Sequence, residues 1–148
     1  MPSSSFYYNN PTPEETQALS VQLTDAIAAA NAAAAAANAQ LAAYTVVQKT
    51  WASTIAINWD DANCQRITLA GPTTLTFTGG VDGEKLILEL KQDATGGRQI
   101  TLPSNVRYSV TIPGVSLSAG ANRIDKIGFM YNAADNKYDL VAITYGLI

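Results

Sequence analysis

Asp60-Asp61 beside Asn63 is the first place to look for chemistry, as part of a cation site. The spacing argues otherwise: it lacks the D-x-D-x-D-G run and the bidentate Glu of a calcium loop, and a turn closed by an Asx hydrogen bond is the favoured reading. Paired carboxylates for glycosidic cleavage must share one concave surface, yet Glu84 and Glu89 are five apart and fall on opposite faces of an extended strand. A pair assembled between subunits stays open as the one route to an enzyme. Cys64 has no activating base nearby and reads as a half-buried small apolar residue rather than a nucleophile. Gly79, Gly80 and Gly83 match neither phosphate-loop pattern. The chain has 148 residues, no His and one Cys, which excludes Ser-His-Asp and Cys-His machinery, imidazole zinc sites and thiolate clusters. No enzyme, cofactor or metal is expected.

Trp51, Tyr108, Tyr138 and Tyr145 are candidates for a sugar-stacking surface, since aromatic rings are rigid platforms with an apolar face. Placement in the core or at a subunit interface is the stronger reading for each. The net charge of −3 argues against a nucleic-acid partner, which needs a concentrated Lys/Arg surface. Charge is unevenly spread: residues 1–48 carry only Glu14, Glu15 and Asp25, whereas residues 49–148 hold nine bases and nine acids. Two unlike parts follow. Met1-Pro2-Ser3-Ser4-Ser5 offers no positive n-region and no apolar run follows it, so the protein is expected to be made and kept in a cytoplasm until used.

Positioning begins with a helix. Ala26 to Ala43 holds 13 Ala in 18 residues, but Asn31, Asn38 and the lack of flanking Lys or Arg argue against membrane insertion. Alanine favours a soluble helix, and the start signal is complete: Thr12 as N-cap, Pro13 at N1, Glu14 and Glu15 in the first turn, with Thr12 and Glu15 as a capping box. The helix is expected from about Pro13 to Gln48. Leu19, Leu23, Ile27, Ala30, Ala34, Ala37, Leu41 and Tyr44 form a seam that settles into three-four heptad spacing. Such a seam buries too little to stand alone, so a thin self-associating parallel bundle is expected, its strand number not given by the heptads. Asn31 and Asn38 either face the bundle axis and fix register, or lie outside as solvated residues.

Beyond Thr45 the texture turns to β, with Thr, Val and Ile alternating between Gly, Pro, Asn and Asp clusters. Strands are expected at 54–59, 65–70, 73–78, 84–91, 98–102, 106–112, 124–132 and 138–145. Alternation assigns the core to Ile55, Ile57 and Trp59; Ile67 and Leu69; Leu75 and Phe77; Leu86, Leu88 and Leu90; Ile100 and Leu102; Ile127, Phe129 and Tyr131; and Val141, Ile143 and Tyr145. The fold class is therefore α+β by segregation: residues 1–12 a leader, 13–48 a coiled-coil helix, and 49–148 an all-β antiparallel sandwich or jelly-roll head.

The order of parts suggests a fibre: a short aromatic leader, a self-associating rod, and a β head without a catalytic set. The leader FYYNNPTPEET, the Ala/Asn-rich coil and the runs ITLAGPTTLTFTGGVDGEKLILELKQDATGGRQITLP and RIDKIGFMYNAADNKYDLVAITYGLI resemble tailed-bacteriophage fibre and virion-decoration proteins. The resemblance implies a homotrimer with a trimeric coiled coil, located in the virion after assembly in the host cytoplasm. By the match at the leader, Phe6, Tyr7, Tyr8, Asn9, Asn10 and Pro11 would dock on the particle, against the major capsid protein or a portal or tail protein. A host cell-surface glycan stands as a further candidate partner of the head. With one short coil and no extended shaft, the chain departs from longer fibres in a way that disfavours depolymerase activity and favours a short head fibre. A receptor-binding tail or neck fibre is the alternative.

Overall fold

The computed structural model describes residues 10–43 and 45–148, without the side chains of residues 39–43. The chain divides into one unit through Ala39 and another from Gln40 to Ile148.

The first unit is built on α1 (Pro13–Ala43), roughly 46 Å long at about 1.5 Å per residue. Its start follows the capping signal. The Thr12 N–H donates to Glu15 Oε2 at 2.7 Å, and the Glu15 N–H donates to Thr12 Oγ1 at 3.2 Å. That reciprocal pair satisfies two of the donors that a helix N-terminus leaves open. The helix stops at Ala43, short of the expected Gln48. Val46 and Val47 are β-branched, and from Val46 to Lys49 the chain is already β1. Among the described residues no helix is long and apolar enough to cross a membrane.

The second unit winds. β1 (Val46–Lys49), β3 (Cys64–Leu69) and β5 (Lys85–Gln92) lie side by side and parallel in one sheet, while β2 (Thr54–Asn58), β4 (Thr73–Thr78) and β6 (Ile100–Thr101) do the same in a second. The chain thus alternates between sheets, each turn laid beside the one before. Val46 pairs with Cys64 and Cys64 with Ile87, so successive turns in the first sheet advance 18 and then 23 residues. This overturns the expected antiparallel jelly roll. Period-two alternation buries one face of a strand whichever way its neighbour runs, so the pattern that located the strands could not give their direction.

Winding ends at β8 (Ile124–Asn132), which pairs antiparallel with β5, followed by the hairpin partner β9 (Lys137–Leu147). β7 (Val106–Arg107) adds a short parallel edge on β9, completing the order β1-β3-β5-β8-β9-β7.

Both sheets contribute to one core. Ile55, Ile57, Leu75 and Phe77 from the second sheet meet Ile67, Leu69, Leu86, Leu88, Leu90, Ile127 and Phe129 from the first. Phe77 is central to its aromatic part, with ring centroids 5.4 Å from Trp59, 5.3 Å from Phe129 and 5.3 Å from Tyr138, all edge to face. Corners stack as well as strands. The Trp51 indole N–H donates to Thr73 Oγ1 at 2.9 Å, and the ring covers Gly71, where an added Cβ would come within 2.8 Å of it. At the corner after β5, Gln92 holds the Arg98 backbone twice: Oε1 accepts its N–H at 2.8 Å, and Nε2 donates to its carbonyl at 2.9 Å.

The expected core is altered at one end. Tyr138 and Leu140 are buried, whereas Val141 and Tyr145, assigned inward from alternation, are about half exposed. Two register shifts are the cause: Gly128 pairs with Ala142 but Phe129 with Leu140, so Val141 is an extra residue on β9, and Lys126 pairs with Thr144 but Ile124 with Leu147, which displaces Tyr145. Each such bulge exchanges inside for outside beyond it.

Candidate interaction surfaces

Of the seam residues, Leu19, Leu23 and Ile27 are 59%, 63% and 53% exposed, and Ala30, Ala34 and Ala37 are exposed too. Every described side chain from Asn10 to Asn38, Asn31 among them, lies open. Leu41 falls within α1 without a described side chain, and Tyr44 lies outside the described residues. Of the leader residues expected to dock, Phe6, Tyr7, Tyr8 and Asn9 lie outside the described residues. Asn10 and Pro11 are exposed and line a concavity with Thr12, Glu15 and Leu19.

The residues considered for chemistry are held in structural roles. The Asp60 N–H donates to Asn58 Oδ1 at 3.3 Å, the expected Asx geometry. Asp60 Oδ1 accepts the Gly80 N–H at 2.8 Å, and Asp61 pairs with Lys49 at 3.1 Å. Glu84 accepts the Val81 N–H at 2.9 Å in the turn before β5. Glu89 lies across the sheet between two cations, bonded to Arg66 Nε and 3.4 Å from Lys126 Nζ. Burial pushes its carboxyl upward, but the hydrogen bond and charge of Arg66, helped by Lys126, outweigh this and hold it below the ordinary carboxylate range. Cys64 is half-buried on the same outer face, beside Val46 and Ile87. Its thiol is pushed up, first by burial and then by Glu89, which suppresses the reactive thiolate. Among the described residues there is no group of three or more His, Cys, Asp or Glu side chains placed to hold a metal ion.

The four aromatic candidates are scattered. Trp51 is pinned at a corner and 38% exposed. Tyr138 is 1% exposed and its hydroxyl donates to the Gly79 carbonyl at 2.7 Å, so it belongs to the core and not to a sugar platform. Tyr145 lines a groove of about 270 Å³ with Ile112, Pro113 and Ile143, while Tyr108 lines a smaller one of about 180 Å³ with Arg107 and Asp139. The two grooves share no lining residue. In the second groove Arg107 makes a fork: Nε and Nη2 donate to the two carboxylate oxygens of Asp139 at 2.6 and 2.8 Å, and Nη1 donates to Asp135 at 2.7 Å. This latch ties β7 to β9 and went unread in the sequence because its members are 28 and 32 residues apart.

The outer faces of the two sheets differ in chemistry. Arg66, Glu89 and Lys126 form a charged row on the first. The outward positions of the second are Thr54, Ala56, Asn58, Thr74, Thr76, Thr78 and Thr101, none of them charged. The T-x-T-x-T spacing of Thr74, Thr76 and Thr78 was legible as one strand face, though not as part of a larger array.

Residues 50–132 match the family described as "Putative phage tail fibre C-terminal domain". No curated protein matches the chain. The family match covers more than half of the residues and takes in most of the wound strands, so the chain belongs to the phage tail fibre C-terminal domain family. It is a phage fibre protein and a component of the virion.

Proposed function

We propose that this fibre protein is structural rather than catalytic, a short trimeric appendage docked through its N-terminal residues and displaying its β unit outward. The observation that carries this reading is α1 itself, whose described side chains are all exposed along a helix of 31 residues. A lone helix of that kind lacks the packing that stabilises helices in water, whereas association along Leu19, Leu23, Ile27 and the alanines that follow removes the seam from solvent. Phe6, Tyr7 and Tyr8 are aromatic anchors of the type that dominate docking energetics. The capsid, as a head fibre, is the docking site we favour on the brevity of the coil. The family match equally suits a tail fibre whose head recognises a host polysaccharide.

Light scattering on the full chain tests the architecture: the expected mass is three times the 15.6 kDa of one chain, and a monomer would overturn it. Immunogold labelling of virions with antibody to the β unit then separates the two locations. Gold on the capsid supports the head fibre, and gold confined to the tail replaces it with the tail fibre.

A further inference from the structure

We infer that the outer face of the β2–β4–β6 sheet is where the β units of neighbouring copies of this chain pack against one another. The inference rests on the self-association proposed above and names the surface that serves it.

Thr54, Thr74 and Thr101 stand in one row across the three strands, with Ala56 beside Thr76 and Asn58 beside Thr78. The residues between them, Ile55, Ile57, Leu75 and Phe77, are buried, so alternation turns this set outward. Threonine favours strands, which accounts for its presence but not for the lack of charge. Exposed sheet faces ordinarily carry Lys, Arg and Glu, and the other sheet of this protein carries Arg66, Lys85, Lys91, Lys126 and Asp139 on β3, β5, β8 and β9, with Ile87, Met130 and Val141 exposed among them.

Symmetry makes that difference informative. Around a rotation axis every group close to the axis meets copies of itself. A lysine there meets lysines, and like charges brought together oppose assembly. A threonine meets threonines, and its hydroxyl both donates and accepts, so identical side chains can bond to one another while their methyl groups pack. Of the two outer sheet faces, the threonine face alone presents no charge to its own copies, and depletion of charge is what marks the centre of protein interfaces. A neutral saccharide is the other occupant such a face would suit. A second copy is favoured because the described side chains of α1 are all exposed and the self-association proposed above gives them partners of their own kind.

Thr76 lies in the central strand of this sheet, and Thr68 lies exposed on β3 of the other. In a Cys64→Ser background of the full chain, Thr76→Cys should form an interchain disulfide on mild oxidation, read as a dimer on non-reducing denaturing gels. Thr68→Cys should stay monomeric under the same conditions. If light scattering shows these variants and the parent to be monomers, the self-association reading itself falls. If they assemble, yet Thr76→Cys fails to cross-link or Thr68→Cys links equally well, the face is wrongly assigned while the oligomer stands. Protection of Thr76→Cys from a thiol reagent by neutral dextran, without any cross-link, would replace the second copy with a saccharide.

Discussion

Asp60 Oδ1 accepts the backbone N–H of Gly80 at 2.8 Å, joining two corners of the winding that are 20 residues apart in the chain. Gly79, beside it, has φ +76°, and an added Cβ would stand 2.5 Å from Asn58 Oδ1 and 2.6 Å from Asp60 Cγ. Asp60→Ala should therefore cost about 1 kcal/mol, the worth of one ordinary hydrogen bond. Gly79→Ala should cost at least about 2 kcal/mol, because left-handed strain and a clash with the corner act together. Urea denaturation of the full chain followed by tryptophan fluorescence checks both, and an Asp60→Ala loss equal to or above that of Gly79→Ala contradicts the account.

Tyr138 should make the fold sensitive to alkali. Burial foremost, with Tyr131 and Asp60 adding to it, pushes its hydroxyl up to about 12 from an ordinary value of 10. A group whose pKa is raised on folding contributes stability that is complete below its unfolded pKa and is lost as pH climbs through the folded one. The urea midpoint should thus fall between about pH 10 and pH 12, and fall less in Tyr138→Phe, which at neutral pH loses about 1 kcal/mol with its bond to the Gly79 carbonyl. Parallel alkaline declines in the two proteins would dismiss Tyr138 as the cause.

Glu89 works at the other end of the pH scale. Its pKa is lowered on folding, so its contribution is present above the ordinary carboxylate range and disappears as pH falls through the depressed value. Glu89→Gln should cost about 1–2 kcal/mol at pH 7, the low end for charge-assisted bonds because Arg66 and Lys126 are 44% and 48% exposed. The penalty should shrink at pH 3. Stability curves of the two proteins that fail to converge on acidification would show that the Arg66–Glu89–Lys126 row adds nothing.

Replacement of Ile27 and Leu41 by Asp should weaken self-association, since each copy would bring the same charges into the seam. Sedimentation velocity over a range of concentrations should show dissociation at levels where the parent stays assembled. An unchanged oligomer would mean the helices meet along another stripe.

Joint replacement of Phe6, Tyr7 and Tyr8 by Ala should leave a folded, assembled protein that no longer enters particles. Co-expression with the remaining virion proteins, followed by blotting of purified particles, measures this. Normal incorporation would remove the leader as the anchor.

Where local chemistry decides structure, the sequence was legible. The Thr12–Glu15 capping box is present as expected, and Ile55, Ile57, Leu75, Phe77, Leu86 and Leu88 are all buried, because caps and alternation depend on neighbours a few residues away. What depends on distant partners was not legible. β1 was absorbed into the helix because Val46–Lys49 follows an alanine run and is extended through pairing with Cys64–Ile67. Tyr138 falls outside the inward set that alternation gives for this strand, and Tyr145 inside it, because the two register shifts on β9 exist only relative to β8. The parallel direction of β1, β3 and β5 likewise depends on which strand lies alongside. Among the surfaces, the uncharged threonine set could be collected only after three strands separated in sequence were placed edge to edge.

The winding also has a temporal meaning. Val46 finds Cys64, and Cys64 finds Ile87, at sequence separations of 18 and 23, so each turn can be laid on the one before it while the ribosome is still adding the next. The antiparallel return of β8 is different: Leu86 waits for Phe129, 43 residues downstream, before that side of the apolar interior is covered. Translation pauses before Ile124 would therefore hold a half-built winding with its oily edge open, the interval in which a nascent chain is most exposed to wrong neighbours.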